Sequence, residues 1–372
     1  MTDLAGAERA AGAGDHVVAR ETLRLVDEEQ SSGHEVKPRL ASMRIAVIGA
    51  GAVGGLVAAL AARAGHEVLV TARGEHADAI ARAGLRVDGG WGEWVAAVEL
   101  VRSIPNDRVD LIVLATKAHD SAEALAPWAA HDGTPVLVLQ NGLGGEDAVR
   151  DALPHSPVAI GLALFAVSLT GPGHITVTGP NGLTLGGDPA AVAVAEPLLL
   201  AALPAKLVLA ADIRGAQWTK LLINQVNALP AITGLSVQQT IADPAILSVL
   251  ARGMVETVAV GDAAGVAWGR IGAVDADAVA RVREGGAAAA AELAQHLAAG
   301  MGEVPNPASM LQSIRRGRTT EVDAINGAIV DYGTSLGIPT PVNAALVDLV
   351  RTVQKGVPHL TAAEALSRLP AA

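Results

Sequence analysis

The run Gly49-Ala50-Gly51-Ala52-Val53-Gly54 fits the pattern G-x-G-x-x-G and constrains the fold more than any other segment. A bare match means little in a chain with 41 glycines. Here, however, an apolar run rich in Ile and Val at 45–48 precedes it. A helical stretch near 53–64 follows, and a second apolar run at 67–71 comes after Gly65. Strand, glycine turn, helix and strand form one βαβ unit. The first glycine permits the turn, the second lets the backbone approach a pyrophosphate, and the third lets helix and strand pack closely. Backbone N–H groups at the helix N-terminus then meet the anion. A tight turn with a structural role alone is the competing explanation.

The end of the second strand bears on which dinucleotide is bound. An NAD site usually places Asp or Glu there to hold the ribose hydroxyls. This chain has Thr71-Ala72-Arg73, with no carboxylate before Glu75. A guanidinium at Arg73 suits a 2′-phosphate through charge-assisted bonds, so NADP(H) is the expected cofactor. The bland alternative is a solvated surface arginine. Two further strand ends matter, because ligands in such sheets sit beyond the carboxyl ends. Thr116-Lys117 closes the run 110–115, and Gln140-Asn141-Gly142 closes 135–139. Asn-Gly usually marks a hairpin, but a helical stretch from Glu146 follows, which raises Asn141 as a ligand residue. Lys117 reads nearly as well as a solvated lysine at a helix start.

Composition excludes several function classes. The 372 residues carry 27 Lys and Arg against 38 Asp and Glu, a formal net charge of −11. A phosphate-binding surface for nucleic acid would need a basic excess, so no nucleic-acid partner is expected. With no cysteine in the chain, disulfides, thiolate-bound metals and thiol nucleophiles are excluded. The mean hydropathy of +0.38 is high and is aliphatic in origin. The most membrane-like run, 45–62, contains Gly49, Gly51, Gly54 and Gly55, and strand, turn and buried helix explain it better than a span. The longer uncharged run 152–187 is broken by four prolines. Residues 1–42 carry scattered charges and no apolar core of a secretory signal, so a soluble, cytoplasmic protein without a membrane partner is expected.

Those first 42 residues show no sustained period and read as a flexible extension. Folding is expected to need only the chain from Met43, which the solubility and activity of a protein starting there would test. From 43 to 210 strands and helices alternate, with apolar runs at 45–48, 67–71, 110–115 and 135–139, then 160–170, 175–177, 183–186 and 207–209. Two-sided apolar strands with helical crossovers indicate a parallel sheet covered on both faces. From 211 to 372 the strand signals largely stop, and helices are expected at 215–229, 244–264, 274–299, 307–336 and 342–353. Five alanines at 287–291 suit a tightly packed helix. The fold class is therefore an α/β N-terminal Rossmann-type dinucleotide-binding domain followed by an all-α C-terminal domain.

Polar residues in the helical part stand out against this apolar background. Lys220, Asn224 and Asn227 are spaced to share one face of a helix that Leu221, Leu222, Ile223 and Val226 mark as otherwise buried. Such a stripe is either paired, functional, or one solvated face, and the spacing does not choose. Asn306 before Pro307 makes a good N-cap with proline at the first helical position. Ser309 on that first turn could bind a carboxylate with help from the helix terminus. Glu321 falls about three turns on, and from local sequence alone it reads as an exposed partner of Arg315, Arg316 and Arg318. His119, His131, His155 and His174 lie apart, without metal-ligand or triad spacing, and no G-x-S-x-G elbow is present. No metal site is expected.

Taken together, these segments resemble the ketopantoate reductases (2-dehydropantoate 2-reductases) over essentially all of 43–355. The motifs are GAGAVGG at 49–55, TKAHD at 116–120, QNGLGGED at 140–147, WTKLLIN at 218–224 and NPASMLQSIRRGRTTEVDAINGAIV at 306–330. The resemblance implies a nucleotide domain and a helical domain with the active site in the cleft between them. It implies Lys220 as general acid, Glu321 as an active-site carboxylate contacting the ligands, and Asn141 as a residue near nicotinamide and substrate. Asn224, Ser309 and Asn306 would contact the substrate, a small 2-oxo acid, and Asn227 is expected to join them. Two positions depart from the family pattern: Ala228 stands where a second asparagine is usual, with Asn227 one place earlier, and Ser313 stands where Asp is common. The implied activity is NADPH-dependent reduction of ketopantoate to pantoate in pantothenate synthesis. An NADP-linked oxidoreductase for another 2-oxo acid or a specialised metabolite, and a non-catalytic NADP sensor, remain alternatives. Helical second domains in such folds often carry dimer contacts, but no stripe here specifies a homodimer.

Overall fold

The computed structural model describes residues 41–102 and 104–370. The extension read at 1–42 lies almost wholly outside the described residues. Strands β1 (Arg44–Ile48), β2 (Glu67–Val70), β3 (Leu85–Gly89), β4 (Trp94–Ala96), β5 (Glu99–Leu100), β6 (Leu111–Leu114), β7 (Val136–Val138), β8 (Val158–Ala163), β9 (Ala166–Gly171), β10 (His174–Gly179), β11 (Leu183–Gly187) and β12 (Leu207–Leu209) form two sheets. The larger has the order β12-β11-β8-β7-β6-β1-β2-β5. Its strands from β8 to β5 are mutually parallel, and β11 runs antiparallel to β8.

Parallel pairing follows from the sequence, because β1 and β6 are buried on both faces and need helical crossovers to cover them. Helices α1 (Ala52–Arg63) and α5 (Pro189–Ala202) contribute to the core on one side, and α3 (Ser121–Leu125) and α4 (Gly145–Ala152) to that on the other; α2 (Gly74–Ala83) follows β2. The chain leaves β1 toward β2 on one side and returns at β6 on the other. That reversal opens a crevice beyond the carboxyl ends of β1 and β6, where ligands of such sheets bind.

Two strand expectations are corrected. The run 160–170 is not one strand but parts of β8 and β9, which belong to different sheets. The smaller sheet, β4-β3-β10-β9, uses segments at 85–96 whose apolar patterning is too short and glycine-broken to stand out.

The helical part comprises α6 (Ile213–Asn224), α7 (Ala228–Thr233), α8 (Val237–Ala242), α9 (Pro244–Ala263), α10 (Ala276–Gly300), α11 (Ser309–Arg315), α12 (Ala328–Leu336), α13 (Pro341–Gln354) and α14 (Ala362–Ser367). One apolar core joins most of them. α9 is long and apolar enough to cross a membrane by length and composition, yet most of it is buried inside this core. The alanines at 287–291 are not tightly packed as expected: Ala290 is buried, but Ala287 and Ala288 are exposed. Gly286, with φ of 59°, kinks α10 just before them.

The helix expected over 215–229 breaks into α6, a 3₁₀ turn at Gln225–Asn227, and α7. The single helix expected over 307–336 is likewise three pieces. α11 ends at Arg315, Gly317 takes a left-handed conformation with φ of 62°, and a π-helical turn at Asp323–Gly327 leads into α12. π turns recur at functional sites.

Candidate active site

The glycine loop is held from two sides. Gly49 N–H donates to Thr71 Oγ1 at 2.9 Å and Ala50 N–H to the Thr71 carbonyl at 2.8 Å, tying the loop to the end of β2. His76 accepts from Gly173 N–H at Nδ1 (2.8 Å), so its other nitrogen, Nε2, carries the proton and donates to the Ala50 carbonyl at 2.6 Å. Burial lowers the His76 pKa and the nearby Arg318 charge adds to this, which suits a neutral imidazole in that bridge.

A side chain at Gly54 would collide with the Gly49 carbonyl and sit 2.8 Å from Ala115 Cβ, so only glycine lets α1 pack here. At Gly51 a Cβ would meet nothing within 4 Å. No side chain caps α1, and its first turn, including Ala52 and Val53, holds no acid. This open, uncapped helix start fits a dinucleotide pyrophosphate. Arg73 stands at the N-cap of α2, largely exposed, with Nη2 3.4 Å from Glu123 Oε1.

Across the crevice, residues from both halves of the chain meet. Lys117 Nζ lies 2.9 Å from Glu321 Oε2 and 3.4 Å from Ser313 Oγ. Asn141 Nδ2 donates to the same Glu321 oxygen at 3.3 Å, and Leu143 N–H donates to the Ala324 carbonyl at 3.2 Å. Lys117, expected at the cofactor, is thus engaged by the helical half. Glu321 is buried, which overturns its local reading as an exposed partner of the arginines. It reaches the site through the turn after α11, not along a continuous helix.

Lys220 is buried in α6, and its ammonium donates to the Ala163 carbonyl at 2.7 Å. Burial pushes its pKa down to about 8, while the Glu321 carboxylate pulls the other way. Of these two opposed effects, desolvation prevails.

The asparagines divide the remaining work. Asn227, buried, accepts from both Ser309 N–H (3.0 Å) and Ser309 Oγ–H (3.1 Å), and its Nδ2 donates to the Asn224 carbonyl at 3.0 Å. It therefore caps α11 from another element. The 3₁₀ turn carries Asn227 to this position, so it does not share a straight helical face with Lys220. Asn306 is not the N-cap of α11: Ala308, with φ of 59°, takes that place, and Asn306 Oδ1 accepts from Ala308 N–H at 2.9 Å. Asn224 is half-buried on the last turn of α6, and Ser309 is exposed at the start of α11. Removing the cap by Asn227→Ala leaves the Ser309 N–H without its protein acceptor and is expected to destabilise the fold by about 0.5–2 kcal/mol. Urea unfolding measures this, and an unchanged midpoint would contradict it.

Sequence reasoning missed His76 and Gln140 as functional residues and marked Ser313 only as a departure from the family pattern. Gln140 is buried, and its Nε2 bonds the Thr116 carbonyl (2.8 Å) and Ser121 Oγ (2.7 Å), locking the ends of β6 and β7 together. Its place beside Asn141 at a strand end was the available signal. His76 and Ser313 act through partners 97 and 196 residues away in sequence, which no local pattern reveals.

Comparison with known proteins agrees with this arrangement. The family model described as "Ketopantoate reductase PanE/ApbA" matches residues 45–189, and its C-terminal counterpart matches 212–354. The 2-dehydropantoate 2-reductase of Archaeoglobus fulgidus is 33% identical over 323 residues, covering 84% of this chain and 99% of that protein. The crystal structure of a ketopantoate reductase of this family from Ralstonia eutropha is similar with a TM-score of 0.71 and 30% identity, over 84% of this chain and 99% of the other. The ternary structure of D-mandelate dehydrogenase with NADH and anilino(oxo)acetate also superposes with a TM-score of 0.71, at 26% identity and the same coverage. With both halves matched, the glycine loop at the sheet reversal and the helical half closing over it, the chain belongs to the ketopantoate reductase family and is an oxidoreductase.

Proposed function

We propose that this protein reduces a 2-oxo acid with NADPH, that the acid is 2-dehydropantoate, and that the product is pantoate for pantothenate synthesis. The observation that carries this reading is the buried Lys220 ammonium, bonded to the Ala163 carbonyl and within the field of Glu321, the carboxylate that Lys117 and Asn141 at the strand ends also contact. When bound, the reduced nicotinamide supplies the hydride that the carbonyl carbon takes up. Lys220 gives its proton to the carbonyl oxygen and stabilises the negative charge that develops there. Hydride at carbon and proton at oxygen yield the 2-hydroxy acid. Gly49, Gly51 and Gly54, with the N–H groups of the first turn of α1, hold the pyrophosphate, and Arg73 takes the 2′-phosphate.

Ser309 and Asn224 bind the substrate, with Asn306 at the entrance to α11, and Asn227 fixes Ser309. Glu321 keeps Lys220 protonated and, with Asn141 and Lys117, orients the ligands. In this division residues 43–210 serve the cofactor and 211–372 the substrate.

A second reading is motivated by the equal TM-score, at lower sequence identity, to D-mandelate dehydrogenase, namely a 2-oxo acid with a bulkier, aromatic side chain. NADPH oxidation across a panel of 2-oxo acids separates the readings. Turnover with ketopantoate at ordinary enzyme efficiency supports the first, and turnover only with aryl 2-oxo acids supports the second. No turnover with any acid overturns both and favours a non-catalytic NADP sensor.

A further inference from the structure

One cavity outside the reaction centre is lined by three separate segments, and two of them, one from each half of the chain, bring charged groups to it. It has a volume of about 520 Å³ and lies at the start of α2, beyond the end of β2. Arg73 and Glu75 line it from the nucleotide half, and the end of β9 with the Pro172 that follows forms a second wall. The third wall comes from the helical half: Arg316 and Arg318, on the turn that follows α11. His76 also faces it, but its imidazole is committed to Ala50 and Gly173. Three guanidinium groups thus face one carboxylate.

Among the described residues, neither arginine of the helical-half pair makes an ion pair. Arg316 Nη2 donates to the neutral Gln312 Oε1 at 3.3 Å, and Gln312 also accepts from Ser168 Oγ of β9 at 3.0 Å. Both arginines are exposed side chains at the cavity rim; partial desolvation and the charge of Arg318 hold the Arg316 pKa below its usual value, and Arg318 acts on His76 in the same sense. Like charges turned toward each other in a concave site are unfavourable unless an anion occupies it. The position identifies the anion: a dinucleotide whose pyrophosphate lies on the glycine loop places its adenosine ribose at the end of β2.

We propose that Arg316 and Arg318 are specificity residues for NADP(H), reaching from the helical half to share the 2′-phosphate with Arg73. The phosphate then bridges the two halves of the chain, so the group that distinguishes NADPH from NADH also draws the cleft together. This rests on the NADP(H) reading of the site.

The test measures binding of NADPH, NADH, 2′,5′-ADP and 5′-AMP to the full chain by calorimetry, for the wild type and for Arg316→Gln/Arg318→Gln. The double variant is expected to lose about 10- to 100-fold in affinity for NADPH and 2′,5′-ADP, as removal of charge-assisted bonds implies. NADH and 5′-AMP should bind as before, which also shows that the fold is intact. Arg281→Gln, an exposed arginine on α10, should change none of the four. If the wild type itself fails to prefer 2′,5′-ADP over 5′-AMP, the NADP(H) reading fails. If the wild type discriminates and the double variant discriminates equally, that reading stands and the present proposal is overturned. Loss on all four ligands alike would also overturn it, as a general structural effect.

Discussion

Lys220→Ala is expected to lower turnover by about 10²- to 10⁴-fold, the range in which a positioned proton donor contributes. NADPH affinity should hardly change, because the lysine lies on the helical half, away from the glycine loop. Folding is not the obstacle. Holding a buried lysine at about 8 instead of 10.5 costs the native state about 3 kcal/mol while the ammonium is charged. The variant removes that cost and leaves one carbonyl, that of Ala163, short of a donor, a penalty of about 1–3 kcal/mol. The two effects are comparable, so stability near neutral pH should be close to wild type.

The sign of the pH dependence follows from the same group. The folded pKa lies below the unfolded one, so the stability penalty is fully present below pH 8 and fades as pH rises from about 8 to 10.5. Activity runs the opposite way, since carbonyl reduction needs the protonated amine. kcat/KM should therefore fall as pH rises through about 8. Steady-state kinetics with a binding measurement for NADPH checks both; an alanine variant with near-normal turnover would remove Lys220 from the chemistry.

Glu321→Gln should give the second large effect, and by a distinguishable route. The carboxylate opposes the desolvation of Lys220, so its neutral isostere lets burial act alone. The pH at which activity falls should move to lower values by about 1 unit or more, as removal of a nearby opposite charge implies. At pH 8 turnover then drops by about fivefold or more, with partial recovery in more acidic buffer. The same change leaves Lys117 without its charged partner at 2.9 Å, and weakened ligand binding is expected besides. Reduced turnover with an unshifted pH profile would show that Glu321 does not act through Lys220.

Much of this site was legible in the sequence because its parts sit at landmarks with local causes. The glycine loop follows a two-sided apolar strand, Lys117 and Asn141 close two further strands, and Lys220 stands out in an apolar helix. Glu321 was not legible in the same way. Its burial depends on Lys117, 204 residues earlier, whereas the arginines beside it in sequence suggested an exposed partner. Asn227 was read as part of a continuous helical stripe, but a 3₁₀ turn redirects it to cap a helix that begins 82 residues later. The continuous pattern at 307–336 hid the break at Gly317, which a single glycine in a long periodic segment signals only weakly. In each case the missing information was a contact between distant segments.

The pairing of Lys117 and Asn141 with Glu321 limits how modular this enzyme can be. A nucleotide half produced alone would retain its glycine loop but present Lys117 and Asn141 without the carboxylate they share. A helical half alone would carry a buried lysine with no Ala163 carbonyl to receive it. Grafting a foreign helical half onto this nucleotide half would therefore require these few contacts to be transplanted with it. The unit of inheritance here is the seam.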